Sequence, residues 1–311
     1  MTANKDYSKI ILGGNVFGWT IDQAKSLRLL DYSFEHGIHS IDTADMYQTW
    51  VTDHRGGESE AIIGEWLKGK KSQRNQIQII TKVGAPLSDT EYGLSAKYIK
   101  QAAEASLRRL KTDYIDLYFS HYADPKTAPE ETLRAYEDLL TQGKIRAIGA
   151  SNFSPEQLEQ SLLVSHQSNL PQYEYFQPSY NLVNRQTFEH QYQPICEKHN
   201  LKVMTYYSLA AGFLTGKYRK LEQIEQSVRK GMILKYLNEN SLNVLKALDI
   251  LSEKYGAQLS EISLAWLMSK RIVTAPIASA TSEKQIDSLL NATRLQLSDE
   301  DVLYLDRISF W

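Results

Sequence analysis

The chain has 311 residues, with 35 Lys and Arg against 37 Asp and Glu, and its formal net charge is −2. This balance argues against a protein that binds a nucleic-acid backbone, because such proteins carry a basic excess. A hydrophobic content of 42% supports a folded core, and the one cysteine cannot form an intrachain disulfide.

The N-terminal residues and the lengths of the apolar runs indicate the location of the protein in the cell. The first ten residues, MTANKDYSKI, contain no apolar segment of the signal-peptide type. No run approaches the roughly 18 apolar residues that a membrane span needs. We therefore expect a globular cytoplasmic protein that does not contact a membrane.

Short β-branched runs alternate with longer amphipathic stretches along the chain. The predicted strands are residues 10–13, 38–41, 77–82, 115–120, 145–151, 173–177, 202–206 and 272–277. The predicted helices are residues 24–36, 58–70, 95–110, 129–142, 191–199, 241–255, 260–269, 282–291 and 298–308. Ser154-Pro155-Glu156 has the order of an N-cap, a first-turn proline and an acidic residue, so it starts one more helix. Eight strands alternating with helices predict a closed (β/α)8 TIM barrel, a single domain over residues 1–311.

An open doubly wound sheet is the alternative fold. Its usual mark is a G-x-G-x-x-G turn followed by a helix. Residues 13–18, GGNVFG, match that turn only loosely, and Trp19-Thr20 does not continue as a helix. In a barrel, the long interval after the seventh strand predicts a loop at about 207–240 over the carboxyl mouth.

Polar side chains follow six successive predicted strands. In a barrel the carboxyl ends of the strands converge, and active sites lie there. The strand-end residues with titratable or hydrogen-bonding side chains include Asp42, Tyr47, Lys82, His121, Ser151, Asn152, Gln177 and, after the seventh strand, Tyr206.

Four of these residues form a chemically coherent set. A phenol has a pKa of about 10, and a nearby ammonium lowers it. Lys82 can supply that charge to Tyr47, Asp42 can hold the lysine, and His121 can orient a carbonyl oxygen. Such a set suits carbonyl protonation or alcohol deprotonation. Taken singly, Asp42 has a structural alternative as a cap, Lys82 as a surface lysine and His121 as a buried histidine.

Seven motifs together carry a family resemblance. They are IDTADMY (41–47), Thr81-Lys82, SHY (120–122), IGASNF (148–153), FQPSYN (176–181), YYSLAAGFLTGKYR (206–219) and PIASATSEKQID (276–287). In their order and spacing, the sequence resembles the aldo-keto reductases over nearly its whole length. The resemblance implies an oxidoreductase that transfers hydride between NADPH and an aldehyde or ketone in a (β/α)8 barrel.

The resemblance also implies a role for each matching residue. Tyr47 corresponds to the general acid, Asp42 and Lys82 to the pair that tunes its pKa, and His121 to the residue that orients the carbonyl. For the cofactor, the resemblance implies contacts from Ser151, Asn152, Gln177, Tyr206, Leu209, Gly216 and Lys217. Tyr207, next to Tyr206, leaves the residue that stacks on the nicotinamide open by one position.

The last motif departs from the family pattern. With one inserted residue after Pro276, the resemblance implies that Ser279, Thr281, Lys284 and Asp287 contact adenosine and its phosphate. Ser288 stands where many members have asparagine. NADPH is the expected cofactor, with NADH as the open alternative, and a helix beginning near Ser282 offers its N–H groups to a phosphate.

The remaining expectations concern substrate and partners. Trp19, Trp50 and Tyr122 fall in loops that can line a pocket mouth. Residues with metal-ligand spacing are absent from the sequence, so we expect no metal. We expect a small carbonyl substrate, no nucleic acid, and a monomer or weak oligomer. Two other functions stay open, a regulatory module like the potassium-channel β subunits of this family and a lyase with Lys82 as a Schiff-base nucleophile.

Overall fold

A closed barrel of eight parallel strands forms the centre of the structure, a computed structural model that describes residues 7–311. The strands are β1 (Ile11–Gly13), β2 (Ser40–Asp42), β3 (Gln78–Val83), β4 (Leu117–Ser120), β5 (Ile148–Ser151), β6 (Tyr175–Gln177), β7 (Lys202–Thr205) and β8 (Val273–Ala278). Each strand pairs with the next, and β8 pairs with β1. The predicted single-domain (β/α)8 barrel is confirmed, and the open-sheet alternative is wrong.

Several predicted strands begin too early in the sequence. Ile38 is buried, yet pairing of β2 starts at Ser40, opposite Gln78. An apolar residue that enters the barrel from a loop has the same sequence signature as one that pairs, because both are buried. The strand ends are closer to prediction, and these ends carry the polar side chains.

Helices surround the barrel and cover the outer face of its strands. They are α1 (Gln23–Glu35), α2 (Glu58–Lys68), α3 (Ala96–Leu110), α4 (Pro129–Thr141), α5 (Pro155–Ser168), α6 (Gln193–His199), α7 (Leu221–Ile224), α8 (Lys230–Ile233), α9 (Glu239–Tyr255), α10 (Leu259–Ser269), α11 (Glu283–Arg294) and α12 (Asp299–Ile308). The predicted start of α5 is confirmed, since Ser154 caps it and Pro155 is its first residue. A π-helical turn, Phe188–Tyr192, precedes α6 where the sequence predicted only a regular helix.

Two apolar layers hold the barrel together. Inside it pack Ile11, Ile80, Leu117, Phe119, Tyr175, Met204, Ala275 and Ile277. The larger layer lies between strands and helices. Gly149 is required at one contact, because a Cβ there would lie 2.3 Å from the Phe119 ring. Burial of this apolar surface is the main force that stabilises the fold and fixes the rim.

The segment between β7 and α9 contains only short helical turns. A 3-10 turn spans Ala210–Thr215, α7 and α8 follow, and a second 3-10 turn spans Leu234–Tyr236. Its position over a cofactor stays a prediction.

Among residues 7–311, none of the helices is long and apolar enough to cross a membrane. No group of three or more His, Cys, Asp or Glu side chains in that range could hold a metal ion. The prediction of no signal peptide partly concerns residues 1–6, which lie outside the described residues.

Candidate active site

Asp42, Lys82 and Tyr47 meet at the carboxyl rim of the barrel. Asp42 ends β2 and Lys82 lies in β3, the neighbouring strand. The Lys82 ammonium donates to Asp42 Oδ2 at 2.7 Å, to the Thr43 carbonyl at 2.7 Å and to Tyr47 Oη at 3.1 Å. Lys82 is 1% exposed and Asp42 2%, so this ion pair is shielded from water. The three side chains therefore form one hydrogen-bonded unit, in which the ion pair is buried and Tyr47 is partly buried.

The pKa of the Tyr47 phenol does not shift in the direction expected from the sequence. Burial raises the pKa of the Tyr47 phenol well above its usual value, and the Asp42 carboxylate acts in the same direction. This direction is opposite to the lowering expected from an ammonium, because burial and the carboxylate both oppose the phenolate. Burial also lowers the pKa of Lys82, against the opposing effect of Asp42. A protonated phenol beside an ammonium is a proton donor at neutral pH.

His121 lies next to this unit, directly after β4. Its backbone N–H donates to the Val83 carbonyl at 2.8 Å, which fixes the residue to the end of β3. Its ring centroid is 6.2 Å from that of Tyr47 and 4.9 Å from that of Tyr122. Within residues 7–311, Nδ1 is buried and has no hydrogen-bond partner. Burial, with a contribution from Lys82, lowers the pKa of the ring well below its usual value, so the imidazole is neutral.

A buried neutral histidine predicts a pH dependence of stability. Below the unfolded-state pKa of about 6.5, the unfolded chain binds a proton that folded His121 excludes. The neutral ring therefore costs no stability above that value. The free energy of unfolding decreases as the pH falls from there toward the lower folded-state pKa. From about pH 7.5 to pH 5.5, the free energy of unfolding measured in urea should fall by about 1.4 kcal/mol more in the wild type than in His121→Asn. Equal losses in the two proteins would contradict a neutral buried ring.

Further hydrogen bonds, made by Glu60 and Gln177, surround this unit, and they were not predicted from the sequence. The Thr81 hydroxyl donates to Glu60 Oε1, and Arg109 Nε donates to Glu60 Oε2. Glu60 comes from α2 and Arg109 from α3, so the contact joins two helices to β3. Gln177 Nε2 donates to Asp42 Oδ1 at 2.9 Å. In the sequence, Glu60 is an acidic residue in the first turn of α2. This position is explained equally well by a favourable interaction of the carboxylate with the helix N-terminus.

The residues assigned to the nicotinamide lie together at the ends of β5, β6 and β7. The Ser151 hydroxyl donates to the Gln177 carbonyl, and Asn152 Nδ2 donates to the His121 carbonyl. The Tyr206 hydroxyl donates to Asn152 Oδ1 at 2.8 Å, so its ring is fixed beside this amide. This group offers amides, a hydroxyl and an aromatic face, which fit the carboxamide and ring of a nicotinamide.

The loop residues assigned to the diphosphate lie on both sides of a tight turn. Ala210, Ala211 and Gly212 have φ values of 49°, 55° and 96°, and small side chains let another molecule approach such a backbone closely. Leu209 precedes this turn and Gly216 ends it. Lys217 lies 4.8 Å over the Tyr218 ring and has no carboxylate in ion-pair contact within residues 7–311. A turn of small residues beside a free cation fits a diphosphate.

The residues assigned to adenosine surround the N-terminus of α11. Ser282 caps this helix, and the N–H and hydroxyl of Thr281 donate to Gln285 Oε1. The Ser279 hydroxyl donates to Asn15 Oδ1, a partner that the sequence did not indicate. Lys284 is exposed, whereas Asp287 accepts a hydrogen bond from the Tyr32 hydroxyl at 2.7 Å. The structure brings all four predicted residues to one helix end.

Trp19, Trp50 and Tyr122 form an aromatic wall around Tyr47. The Trp50 ring meets the Tyr47 ring at 5.9 Å, and Trp19 meets Trp50 at 5.6 Å. Tyr122 stacks on His121. Trp50 and Tyr122 are exposed, so the wall opens to solvent. Apolar surface next to a phenol and a histidine is suited to contact a small molecule.

Comparison with known proteins gives one consistent result. A sequence model described as the Aldo/keto reductase family matches residues 9–309. The chain is 32% identical to Aldo-keto reductase AFTS1 of Alternaria alternata, over 96% of this chain and 87% of that protein. It is 30% identical to a probable voltage-gated potassium channel subunit beta of Arabidopsis thaliana, over 89% and 84%. It is 28% identical to L-glyceraldehyde 3-phosphate reductase of Escherichia coli O157:H7, over 90% and 82%.

Proposed function

This chain belongs to the aldo/keto reductase family, and on that premise we propose that it uses NADPH to reduce an aldehyde or ketone to an alcohol. Family membership makes it an oxidoreductase of the (β/α)8 class. The observation that carries the proposal is the contact of Tyr47 Oη with Lys82 Nζ at 3.1 Å, inside the buried Asp42–Lys82 pair.

Tyr47 is the proposed general acid. Its raised pKa keeps the proton on Oη until a carbonyl oxygen accepts it. As negative charge develops on that oxygen and then on the phenol, the ammonium of Lys82 stabilises it from 3.1 Å. Asp42 holds Lys82 charged and in place, and Gln177 holds Asp42 from the other side.

His121 is the proposed residue that orients the substrate. Because its ring is neutral, one nitrogen carries a hydrogen that can be donated to the carbonyl oxygen, without adding a second cation beside Lys82. The aromatic wall offers apolar surface to the rest of the substrate. When bound, NADPH supplies the hydride to that carbon.

The proposed cofactor contacts divide into three regions. Ser151, Asn152, Gln177 and Tyr206 hold the nicotinamide, and Leu209, Gly216 and Lys217 cover the diphosphate with the loop at about 207–240. Ser279, Thr281, Lys284 and Asp287 contact adenosine and its phosphate. The partly engaged hydroxyls of Ser279 and Thr281 leave Lys284 as the charged group that can favour NADPH over NADH.

Lys284→Ala should weaken NADPH binding by about one to two decades and leave NADH binding nearly unchanged. The reason is that the two cofactors differ by one phosphate, and a charge-assisted hydrogen bond is worth about 1.5–3 kcal/mol. Dissociation constants from fluorescence titration measure this effect. Lys217→Ala is the matched comparison, since loss of a diphosphate contact weakens both cofactors alike. Equal weakening in Lys284→Ala would place the phosphate contact elsewhere.

The activity is tested with purified protein, NADPH and a panel of aldehydes and ketones, followed by the loss of NADPH absorbance. We expect many turnovers per protein, with alcohol formed in proportion to NADPH consumed. If no carbonyl compound in the panel is turned over more than once per protein, the proposal that the protein is an enzyme is wrong. A slow single turnover would favour a regulatory module, the alternative to which the Arabidopsis relative's name points.

The lyase alternative is disfavoured by the hydrogen bonds of Lys82. Its ammonium donates to Asp42, Thr43 and Tyr47, so all three of its hydrogens are in use. A Schiff-base nucleophile must instead be a neutral amine. A small-molecule substrate fits the aromatic wall, while a cytoplasmic location and a monomeric or weakly oligomeric state stay predictions.

A further inference from the structure

Asp45 is a buried carboxyl group without a hydrogen-bond partner, in the loop between Asp42 and Tyr47. The residue is 1% exposed, and within the described part of the chain neither oxygen of its side chain accepts a hydrogen bond. The backbone N–H of Met46 attracts the carboxylate, but its geometry falls short of a hydrogen bond. The backbone N–H of Asp45 donates to the Lys82 carbonyl at 3.2 Å. The loop is therefore fixed to the strand that carries Lys82, while the carboxyl group of Asp45 stays unsatisfied.

The ion pairs around Asp45 leave it without a counter-charge. Lys82 Nζ lies 2.7 Å from Asp42 Oδ2, and Arg109 Nε lies 2.7 Å from Glu60 Oε2. Three carboxyl groups therefore share two cations, and each cation already forms an ion pair with a carboxylate other than Asp45. A buried carboxylate that lacks both a counter-charge and hydrogen-bond donors is strongly destabilising, and such a group binds a proton instead. The fold therefore favours Asp45 as a neutral carboxylic acid.

The titratable groups that face Asp45 come from five elements packed around its loop. They are Glu60 of α2, Tyr98 and Arg109 of α3, Lys82 of β3, Tyr118 of β4 and Tyr136 of α4. The hydroxyl oxygens of Tyr98 and Tyr118 are also buried and lack a partner among the described residues. Burial, followed by the Glu60 carboxylate, raises the pKa of Asp45 well above its usual value, against the opposing effects of the two cations.

We propose that Asp45 is a positioning residue of the reduction, which controls through its own charge how well Lys82 stabilises the phenolate of Tyr47. While Asp45 is neutral, the ammonium stabilises both Asp42 and the charge that develops on Tyr47 Oη. Once Asp45 is ionised, a second carboxylate interacts with Lys82, and its negative potential opposes the developing phenolate. Ionisation of Asp45 therefore slows the transfer of the Tyr47 proton to the carbonyl oxygen. The inference rests on the proposed function, because it concerns the proton donor of the same site.

Asp45→Asn tests this role, because the amide has the shape of the acid and cannot ionise. The rate of hydride transfer is measured in single turnovers, by stopped-flow loss of NADPH absorbance from about pH 5 to about pH 9. At the acid end, the variant and the wild type should react at similar rates. Toward the alkaline end, the ratio of the variant rate to the wild-type rate should rise at least about tenfold, as expected for unit charges about 10 Å apart in a protein. A ratio that does not change with pH overturns the inference.

Urea unfolding tests the protonation of Asp45 without any substrate. An unfolded aspartate has a pKa of about 3.9, so above that pH the folded protein holds a proton that the unfolded chain has released. The stability from this group is complete below about pH 3.9 and is lost as the pH rises through the higher folded-state pKa. From about pH 5 to pH 6, the folding equilibrium constant should therefore fall about tenfold more in the wild type than in Asp45→Asn. Equal changes in the two proteins mean that Asp45 is ionised in the fold, and the inference is then wrong.

Asp116→Asn is the matched control, since Asp116 is also buried, at 8% exposure, but has hydrogen-bond donors. Its carboxylate accepts from Arg74 Nη2 at 2.8 Å and from the Ile79 N–H at 2.9 Å. This variant should lose stability at neutral pH, and its hydride-transfer rate should keep a constant ratio to that of the wild type. A ratio that changes with pH as much as in Asp45→Asn contradicts a specific role for Asp45.

The two experiments separate this inference from the proposed activity. A wild type that reduces no carbonyl compound contradicts the proposed function, and with it the kinetic role of Asp45. The unfolding measurement still decides in that case whether Asp45 is neutral, since it needs neither cofactor nor substrate. If carbonyl compounds are reduced and the rate ratio stays constant, the proposed function stands and the role of Asp45 is wrong.

Discussion

Tyr47→Phe is expected to reduce carbonyl reduction by about 10²–10⁴-fold or more, the usual size of general acid catalysis. The ring still packs against Trp50 and His121, so the pocket keeps its shape. What disappears is the hydroxyl at 3.1 Å from Lys82 Nζ, and with it the proton that the carbonyl oxygen must receive. The loss should appear in kcat, because the missing interaction belongs to the transition state.

The measurement is NADPH oxidation at saturating cofactor, with NADPH binding determined separately by fluorescence. Tyr122→Phe is the matched control in the same pocket, since it removes a hydroxyl from an exposed ring that stacks on His121. We expect less than about a tenfold loss there, below the range of general acid catalysis. Near-wild-type turnover in Tyr47→Phe would mean that another group donates the proton.

The location of the site could be predicted because a parallel barrel brings all strand ends to one rim. Asp42 lies opposite Ile80 in the register of β2 and β3, and Lys82 lies opposite Phe119 in β3 and β4. His121 follows the last residue of β4. Once the strands were recognised, the meeting of these side chains followed from topology and needed no knowledge of packing.

The energetics of the site could not be predicted in the same way. The sequence shows that Lys82 can reach Tyr47, but not that burial and Asp42 together raise the phenol pKa. That balance depends on how much water the fold excludes, which is a property of the assembled core. The sequence pattern therefore identified the groups but could not give the direction of their net effect on the phenol pKa.

The contacts that sequence reasoning missed come from residues far apart in the chain. Arg109 reaches Glu60 across two helices, and Asn15 meets Ser279 from opposite ends of the chain. Arg229 lies in a segment of short helical turns without hydrophobic periodicity, so nothing in the pattern places it over Trp19. Such contacts depend on where each loop crosses the rim, which strand and helix spacing do not specify.

Lys82→Met should destabilise the protein by about 3–5 kcal/mol, because it leaves the Asp42 carboxylate buried without its counter-charge. Asp42 is 2% exposed, and within residues 7–311 it keeps only the amide of Gln177 and the distant Tyr47 hydroxyl as hydrogen-bond donors from side chains. The free energy of unfolding is measured by urea denaturation at neutral pH. Lys100→Met is the matched control, since its ion pair with Asp138 is exposed and should cost less than about 1 kcal/mol.

The double variant Asp42→Asn with Lys82→Met separates charge from packing. If the unpaired carboxylate causes the loss, replacing it with a neutral amide should restore much of the stability that Lys82→Met removes. If the lost lysine stem causes it, the double variant should be at least as unstable as Lys82→Met. Neither protein should reduce carbonyl compounds efficiently, because the charge that stabilises the developing phenolate is absent from both. Recovery of stability without recovery of activity would show that the buried pair is retained for the reaction, at a cost that the surrounding core has to offset.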